Sequence, residues 1–388
     1  MKNRSSLQLI LKPSVAVMAL ATAGCQEDVL EHSSLAEGCV LDTATAEACD
    51  DCLEFDHEAR LGTVDGPGYL EARGGVEAVS RDHQGNYWVG QGEKINVYQP
   101  DGDFLRTVGR EGEGPMEFQY ARPLHVDARG HVHIWDISNM RLSVVDEEFG
   151  LTREGPLPPL PSINSIAPLS DGSRYVIQAW VQTPDRIGLP LHVIDGKDIL
   201  ASFGATVKDG EVTVESRYTT RRHLTTDNAD NVYAAHVADY VIEVWSPAGS
   251  LVGTLEGIPP LDDGLRGKAY EAPSDKHPPW NELVDLHVDG DGLLWVLLRH
   301  RRDDWREKSI EMAYSDGEIV ITPIDEVPSN WYRSRVDVID LMSGCVRVAS
   351  QWHDEFFVGF VSDGFMAAGQ MSPAGVPSLD VFRVTLRK

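Results

Sequence analysis

Basic side chains are scarce: 34 Lys and Arg stand against 61 Asp and Glu in 388 residues, a formal net charge of −27. A general nucleic-acid binder needs a cationic footprint to neutralise phosphate, so that class is excluded. The acidity reads first as a soluble, self-repelling surface, with an acidic docking face as the alternative. Long apolar runs are missing as well. The uncharged stretch Ser14–Ala23 is too short to cross a bilayer as a helix, and no second candidate span follows it. Local catalytic signatures are also lacking. There is no His-Glu-x-x-His and no Gly-x-Ser-x-Gly, and no Lys-Ser or Lys-Thr follows Gly109, Gly112 and Gly114. Those glycines therefore read as a tight crossover between structural units rather than as a phosphate loop.

What the chain does have is repetition. The segments "AVSRDHQGNYWVGQGEKINVYQPDGDFLRTVGREG" and "LHVDARGHVHIWDISNMRLSVVDEEFGLTREG" are one pattern written twice, with Asp82 and Gly85 answered by Asp127 and Gly130. Short alternating apolar runs between Asp/Asn/Gly turns are what half-buried antiparallel strands require. The anchor returns at Asp171, Asp227, Asp289 and Asp363, which makes six units; the spacing is 45 residues from Asp82 to Asp127 and 74 from Asp289 to Asp363. A period of about 40 to 50 residues marks a propeller with four strands per blade. One such meander cannot bury both its faces, whereas six packed in a ring can. The expected fold is all-β: a six-bladed β-propeller of four-stranded antiparallel blades. The last unit ends one strand short at Lys388, and "HEARLGTVDG" resembles the fourth strands elsewhere, so Ala59–Val64 is expected to complete the sixth blade and close the ring. An open or seven-bladed ring that uses the Cys-rich leader is the alternative.

The anchor aspartates sit at turns, where Asp bonds its own backbone, so they read as structural rather than as a catalytic dyad. Residues 1–25 have the order of a secretory signal: a basic start at Lys2 and Arg4, the apolar run, then small residues before Cys25. "ATAGC" looks like the cleavage box of bacterial lipoproteins, which implies lipidation of Cys25 and an envelope address, periplasmic or outer-membrane. Residues 26–58 are polar and acidic and read as a flexible tether, with 59–388 as the propeller. Setting Cys25 aside leaves Cys39, Cys49, Cys52 and Cys345, an even count that implies disulfides with three pairings open. The two aspartates inside Cys49-Asp50-Asp51-Cys52 disfavour a reactive thiolate. A link from Cys49 or Cys52 to Cys345 would clamp the ring's seam.

The segment "GREGEGPMEFQYARPLHVDARGHVHIWDISNMRLSVVD" resembles the NHL-repeat type of six-bladed propeller found among bacterial exported proteins and lipoproteins. Gly112, Gly114, Pro115, Glu117 and Phe118 match that type's inter-blade link, with Met116 in place of Gly; Asp127, Gly130, Asp136, Asn139 and Arg141 match its blade. The likeness spans about residues 60 to 388 and is sharp in the first two blades. It implies the fold and leaves activity open, since such proteins serve as binding scaffolds, lyases and lactonases.

In a propeller, the loops entering the innermost strands and those joining second to third strands share one rim. Here that rim collects Arg122, Arg141, Trp180, Arg221, Arg222, His223, His236, Arg299, His300 and Arg302. A basic and aromatic mouth on so acidic a chain suits a small anionic ligand or an envelope protein partner, through bidentate Arg contacts and stacking. Arg141 has a structural alternative, pairing with carboxylates such as Asp136. His125 and His287 hold equivalent positions two before their anchors. By resemblance to propeller lyases and lactonases, a metal-dependent lyase or hydrolase with a zinc or calcium ion in the channel is the alternative, with His223, His236 and His300 as the ligands. The primary expectation is a monomeric binding module without cofactor or catalysis, which meets the membrane only through its lipid.

Overall fold

In the computed structural model the described residues are 39–41, 52–71, 78–160, 163–179, 188–204, 221–257, 281–305, 312–315, 318–321, 331–341, 346–372 and 375–387, with backbone alone at 39–41, 257, 312–315, 318–321 and 346–348. They belong to one unit, Ser34–Lys388.

The alternating runs fold as the period predicts, into six four-stranded antiparallel blades; the first five run in chain order from the innermost strand outward, and the sixth takes its outermost strand from the N-terminal side. The innermost strands are Val79–Arg81, Ala121–Val126, Ser165–Pro168, Arg222–Thr226, Glu282–Val288 and Phe357–Ser362. What joins the sheets is burial: clusters of apolar side chains lie between the first and second blades, around Trp88 and Ile134, and between each later pair. The last cluster, with Leu61, Tyr87 and Val381, lies between the sixth blade and the first. The ring is thus closed with six blades, not open or seven-bladed. Both faces of each sheet become core, the burial that a lone meander cannot achieve.

Closure comes from the N-terminal side, with a corrected boundary. Leu53–Leu61 pairs antiparallel with Pro377–Leu386, so the strand starts six residues before the expected Ala59, while Thr63 and Val64 lie beyond its end. Residues 53–58 therefore belong to the blade rather than to a tether. Their acidity misled because an outermost strand keeps one face in water and tolerates charge there. Arg60 grips Asp380 with two bonds of 2.7 and 2.8 Å, and Leu53 N donates to Gln351 Oε1 of the fifth blade. Cys39–Leu41 adds a fifth strand, parallel, to the outer edge of the fourth blade. Cys52 is disulfide-bonded. Cys25, Cys49 and Cys345, and with them the expected link to Cys345, lie outside the described residues.

The anchor aspartates are structural. The Asp82 carboxylate accepts bonds from Asn86 N and Trp88 Nε1, and Asp289 repeats this with Leu293 N and Trp295 Nε1. His133 and Tyr233 take the equivalent ring position on Asp127 and Asp227. Two anchors depart from the pattern. In the third blade Leu169 opens the turn and Asp171 binds Ser173 N and Arg174 N from two residues later. Asp363 instead reaches the fifth blade, accepting from Gly290 N at 3.0 Å and pairing with His287 Nε2 at 2.5 Å.

The glycine-rich link is a crossover, as expected. Arg110–Glu111 pairs with Glu117–Phe118, and Gly109 leaves room for the Phe118 ring, which a Cβ would meet at 2.3 Å.

Candidate functional site

The innermost strands surround a central cavity of about 840 Å³, and all six contribute to its wall. A cavity of this size suits a small organic ligand. The wall is formed by the body of each innermost strand and the turn that follows it, from Ala78 to His83 in the first blade and from Asp285 to Gly290 in the fifth. The cavity thus extends toward the aspartate turns, away from the expected arginine rim.

Of the expected rim residues that are described, Arg122 alone lines this cavity. Burial lowers its pKa, and its guanidinium lies 5.3 Å from the Tyr120 ring and 6.0 Å from the Trp135 ring. The others have work elsewhere. Arg141 donates to the carbonyls of Glu113 (2.9 Å), Gly114 (3.1 Å) and Glu117 and to Glu154 (3.2 Å), which clamps the glycine-rich link onto the second blade; its structural reading holds. Arg222 is 2% exposed and faces Glu243 at 3.8 Å, while His236 meets the same carboxylate at 3.2 Å. Burial brings Arg222 to about 10. Burial would raise the pKa of Glu243, but His236 and Arg222 outweigh it and hold the carboxyl below its usual range. Arg299 bonds Glu282 at 2.8 Å and lies over the Phe356 ring, and Arg302 bonds Asp304 and Asp354. Arg221 is exposed. Trp180 lies outside the described residues.

The expected metal set does not assemble. His236 is on Glu243, and His300 is set edge-on against Trp352 at 4.8 Å, in the fifth blade's outermost strand. His223 stands apart from both partnerships, near Arg299 and Arg221. Burial first, then neighbouring arginines, brings His223 and His300 each to about 4, so both are neutral at physiological pH. Among the described residues, no group of three or more His, Cys, Asp or Glu is placed to hold a metal ion. Local spacing never supported the three histidines, and the ring separates them by blade and by radius.

Inside the cavity the chemistry differs from that of the rim. His83, His125 and His287 line it together, and burial lowers His125 to about 4, with His133 adding to the shift. Asp285 is the wall residue that the rim reading missed. It follows a register shift in Glu282–Val288, a bulge of the kind that re-aims side chains. Its Oδ1 accepts Leu286 N at 2.9 Å and its Oδ2 accepts Phe360 N at 2.8 Å. Burial still raises its pKa to about 6, against the lowering effect of those two bonds. A sequence signal for it existed: four residues before the anchors Asp82, Asp127, Asp171, Asp227 and Asp363 stand Ala78, Pro123, Ala167, His223 and Gly359, so a carboxylate occurs there in one blade only.

No family model matches the chain, and no curated protein matches it in sequence. The likeness is to solved structures. A Bacteroides fragilis protein described as exported is 14% identical, with a TM-score of 0.54 over 90% of this chain and 99% of that one. A Bacteroides thetaiotaomicron protein of unknown function is 10% identical, with a TM-score of 0.43 over 86% of this chain and 76% of that one. Virginiamycin B lyase of Staphylococcus aureus is 12% identical, with a TM-score of 0.40 over 85% and 98%. The first establishes a shared fold; the other two are too distant to bear on this chain's activity.

Proposed function

We propose that this chain is an exported binding module, lipidated at Cys25 in the cell envelope, that takes a small ligand in its propeller channel without transforming it. The observation that carries this reading is the cavity of about 840 Å³ walled by all six innermost strands. A recessed channel of that size favours a small molecule over a partner protein, which would need a broad exposed surface. The basic start, apolar run and Ala-Gly-Cys at residues 23–25 support export and anchoring, as does the name of the Bacteroides fragilis neighbour. Kinship with the NHL-repeat type belongs to the same reading. It is supported by the link from Gly112 to Phe118, which Asn139 and Arg141 of the matching blade motif hold in place. An anionic ligand at the outer rim is the weaker form of the proposal, because Arg141, Arg222, Arg299 and Arg302 already face the chain's own carboxylates.

The test is a thermal-shift screen of small polar molecules on the full chain in detergent, repeated on Thr225→Trp, which places an indole on the cavity wall. A ligand that raises Tm in the parent and not in the variant supports the channel. Ligands that stabilise both equally refute it.

A further inference from the structure

Resting on that reading of the channel, we infer that its ligand is an uncharged polyhydroxyl compound, a sugar or polyol, whose hydroxyls are received by His125, Thr225 and His287 and whose carbon face lies on Phe360. The first observation is a shared level. His125 pairs with His133, Thr225 with Tyr233 and His287 with Trp295, and each partner is the ring that bonds its own blade's anchor aspartate. The three side chains therefore start from one depth in the ring, two residues before the anchors. His125 belongs to the second blade and His287 to the fifth, three apart in a ring of six, so the two imidazoles face one another across the channel. All three side chains line the cavity, as does Phe360, whose ring stacks on His287 with centroids 5.9 Å apart. Ser80 shares the level by pairing with Trp88, but at 3% exposure it adds little.

The second observation is bonding capacity that is both unspent and within reach. Among the described residues neither His125 nor the Thr225 hydroxyl makes a hydrogen bond, and His287 spends Nε2 on Asp363 and leaves Nδ1 without a partner. These atoms keep accessible surface. The charges of the wall, by contrast, are engaged within the chain. Asp127, Asp227 and Asp289 bond their own turns, Asp285 accepts Leu286 N and Phe360 N, and Asp363 holds His287 and accepts Gly290 N. Arg81 and Arg122 lie against the rings of Phe365 and Tyr120. A charged ligand would give up its hydration here without a free counter-charge to replace it. What remains are groups that donate and accept at once. Burial keeps His125 neutral at physiological pH, with one donor and one acceptor nitrogen, and the Thr225 hydroxyl also does both. Sugar hydroxyls have the same dual character, and the C–H face of a sugar ring loses water favourably against Phe360.

The experiment is isothermal titration of the full chain, in a polyoxyethylene detergent that carries no sugar, with glucose, galactose, mannose, maltose, cellobiose and lactose. Glucuronate, galacturonate and glucosamine serve as charged counterparts. At least one uncharged compound should bind, and at least tenfold more tightly than any charged one. Thr225→Val, which keeps the side chain's shape and removes its hydroxyl, should weaken that binding about fivefold, the worth of one hydrogen bond. His125→Leu should weaken it at least as much, and His125→Gln, which restores a donor and an acceptor, should recover part of the loss, a pattern that general loss of structure would not produce. If the His125 variants fail to fold, Thr225→Val and the charged counterparts decide by themselves. Binding unchanged in Thr225→Val and His125→Leu puts the sugar elsewhere and overturns the inference, as do charged forms that bind as tightly. No heat with any uncharged compound overturns it as well, and the wider thermal-shift screen with Thr225→Trp then shows whether the channel takes another class of ligand.

Discussion

The closing seam gives the sharpest structural test. Gly102, in the turn between the third and fourth strands of the first blade, presses on the closing strand: a Cβ there would lie 2.4 Å from the Arg60 carbonyl oxygen, and its φ is +91°. Gly172, in a turn of the third blade, has φ +67° and nothing within 4 Å of a built Cβ. Alanine at either position bears the left-handed penalty of about 1–2 kcal/mol. Only Gly102→Ala adds overpacking, about 1–3 kcal/mol. The closing strand cannot simply retreat, because Arg60 pairs with Asp380 in the ladder and bonds its carboxylate twice. At about 2 °C per kcal/mol, suited to a large domain, Gly102→Ala should lower Tm by about 4–10 °C and Gly172→Ala by about 2–4 °C. Thermal unfolding followed by tryptophan fluorescence measures both. Equal losses would refute the idea that this turn is seated against the closing strand.

Three other changes probe the polar interior. A rim arginine held for a ligand would be dispensable for folding, but truncating one partner of a buried ion pair costs about 3–5 kcal/mol, so Arg222→Ala should destabilise strongly in urea unfolding; a loss under 1 kcal/mol would show that Glu243 does not depend on it. Asp285 titrates at about 6 in the fold against an ordinary 3.8. Its contribution to stability is full below about pH 4 and is lost as pH rises through about 6, on the order of 2–3 kcal/mol in total. Asp285→Asn lacks that slope, so its stability relative to the parent should rise from pH 4 to pH 7, and a constant difference would contradict the burial argument. Trp88→Phe removes the indole donor to Asp82 and should cost about 1–2 kcal/mol beyond its packing loss. Asp82→Asn, which turns an amide NH2 onto either Asn86 N or the pair Asn86 Nδ2 and Trp88 Nε1, should cost at least as much, and a smaller loss would argue against this set of bonds.

The sequence by itself determined the ring. Alternating apolar runs and anchor turns at a near-constant period specify four-stranded units, and a unit that cannot bury both faces alone specifies stacking. The structural role of Asp82, Asp127 and Asp289 was legible too, since an aspartate that bonds its own turn needs only local chain. The closing strand was legible as an event and misplaced in extent, because an outer edge tolerates the charges at Glu54, Asp56 and Glu58.

Tertiary structure decided where the chemistry lies. Whether Arg222 meets a ligand or Glu243 depends on which side chain the neighbouring strand presents, and spacing along the chain does not fix that. The opposition of His125 and His287 is further still from sequence. It arises from residues 162 positions apart in the chain, set at one level by strand pairing and faced across the channel by closure of six blades. A repeat pattern can predict that a channel forms; which side chains meet across it depends on the closed ring.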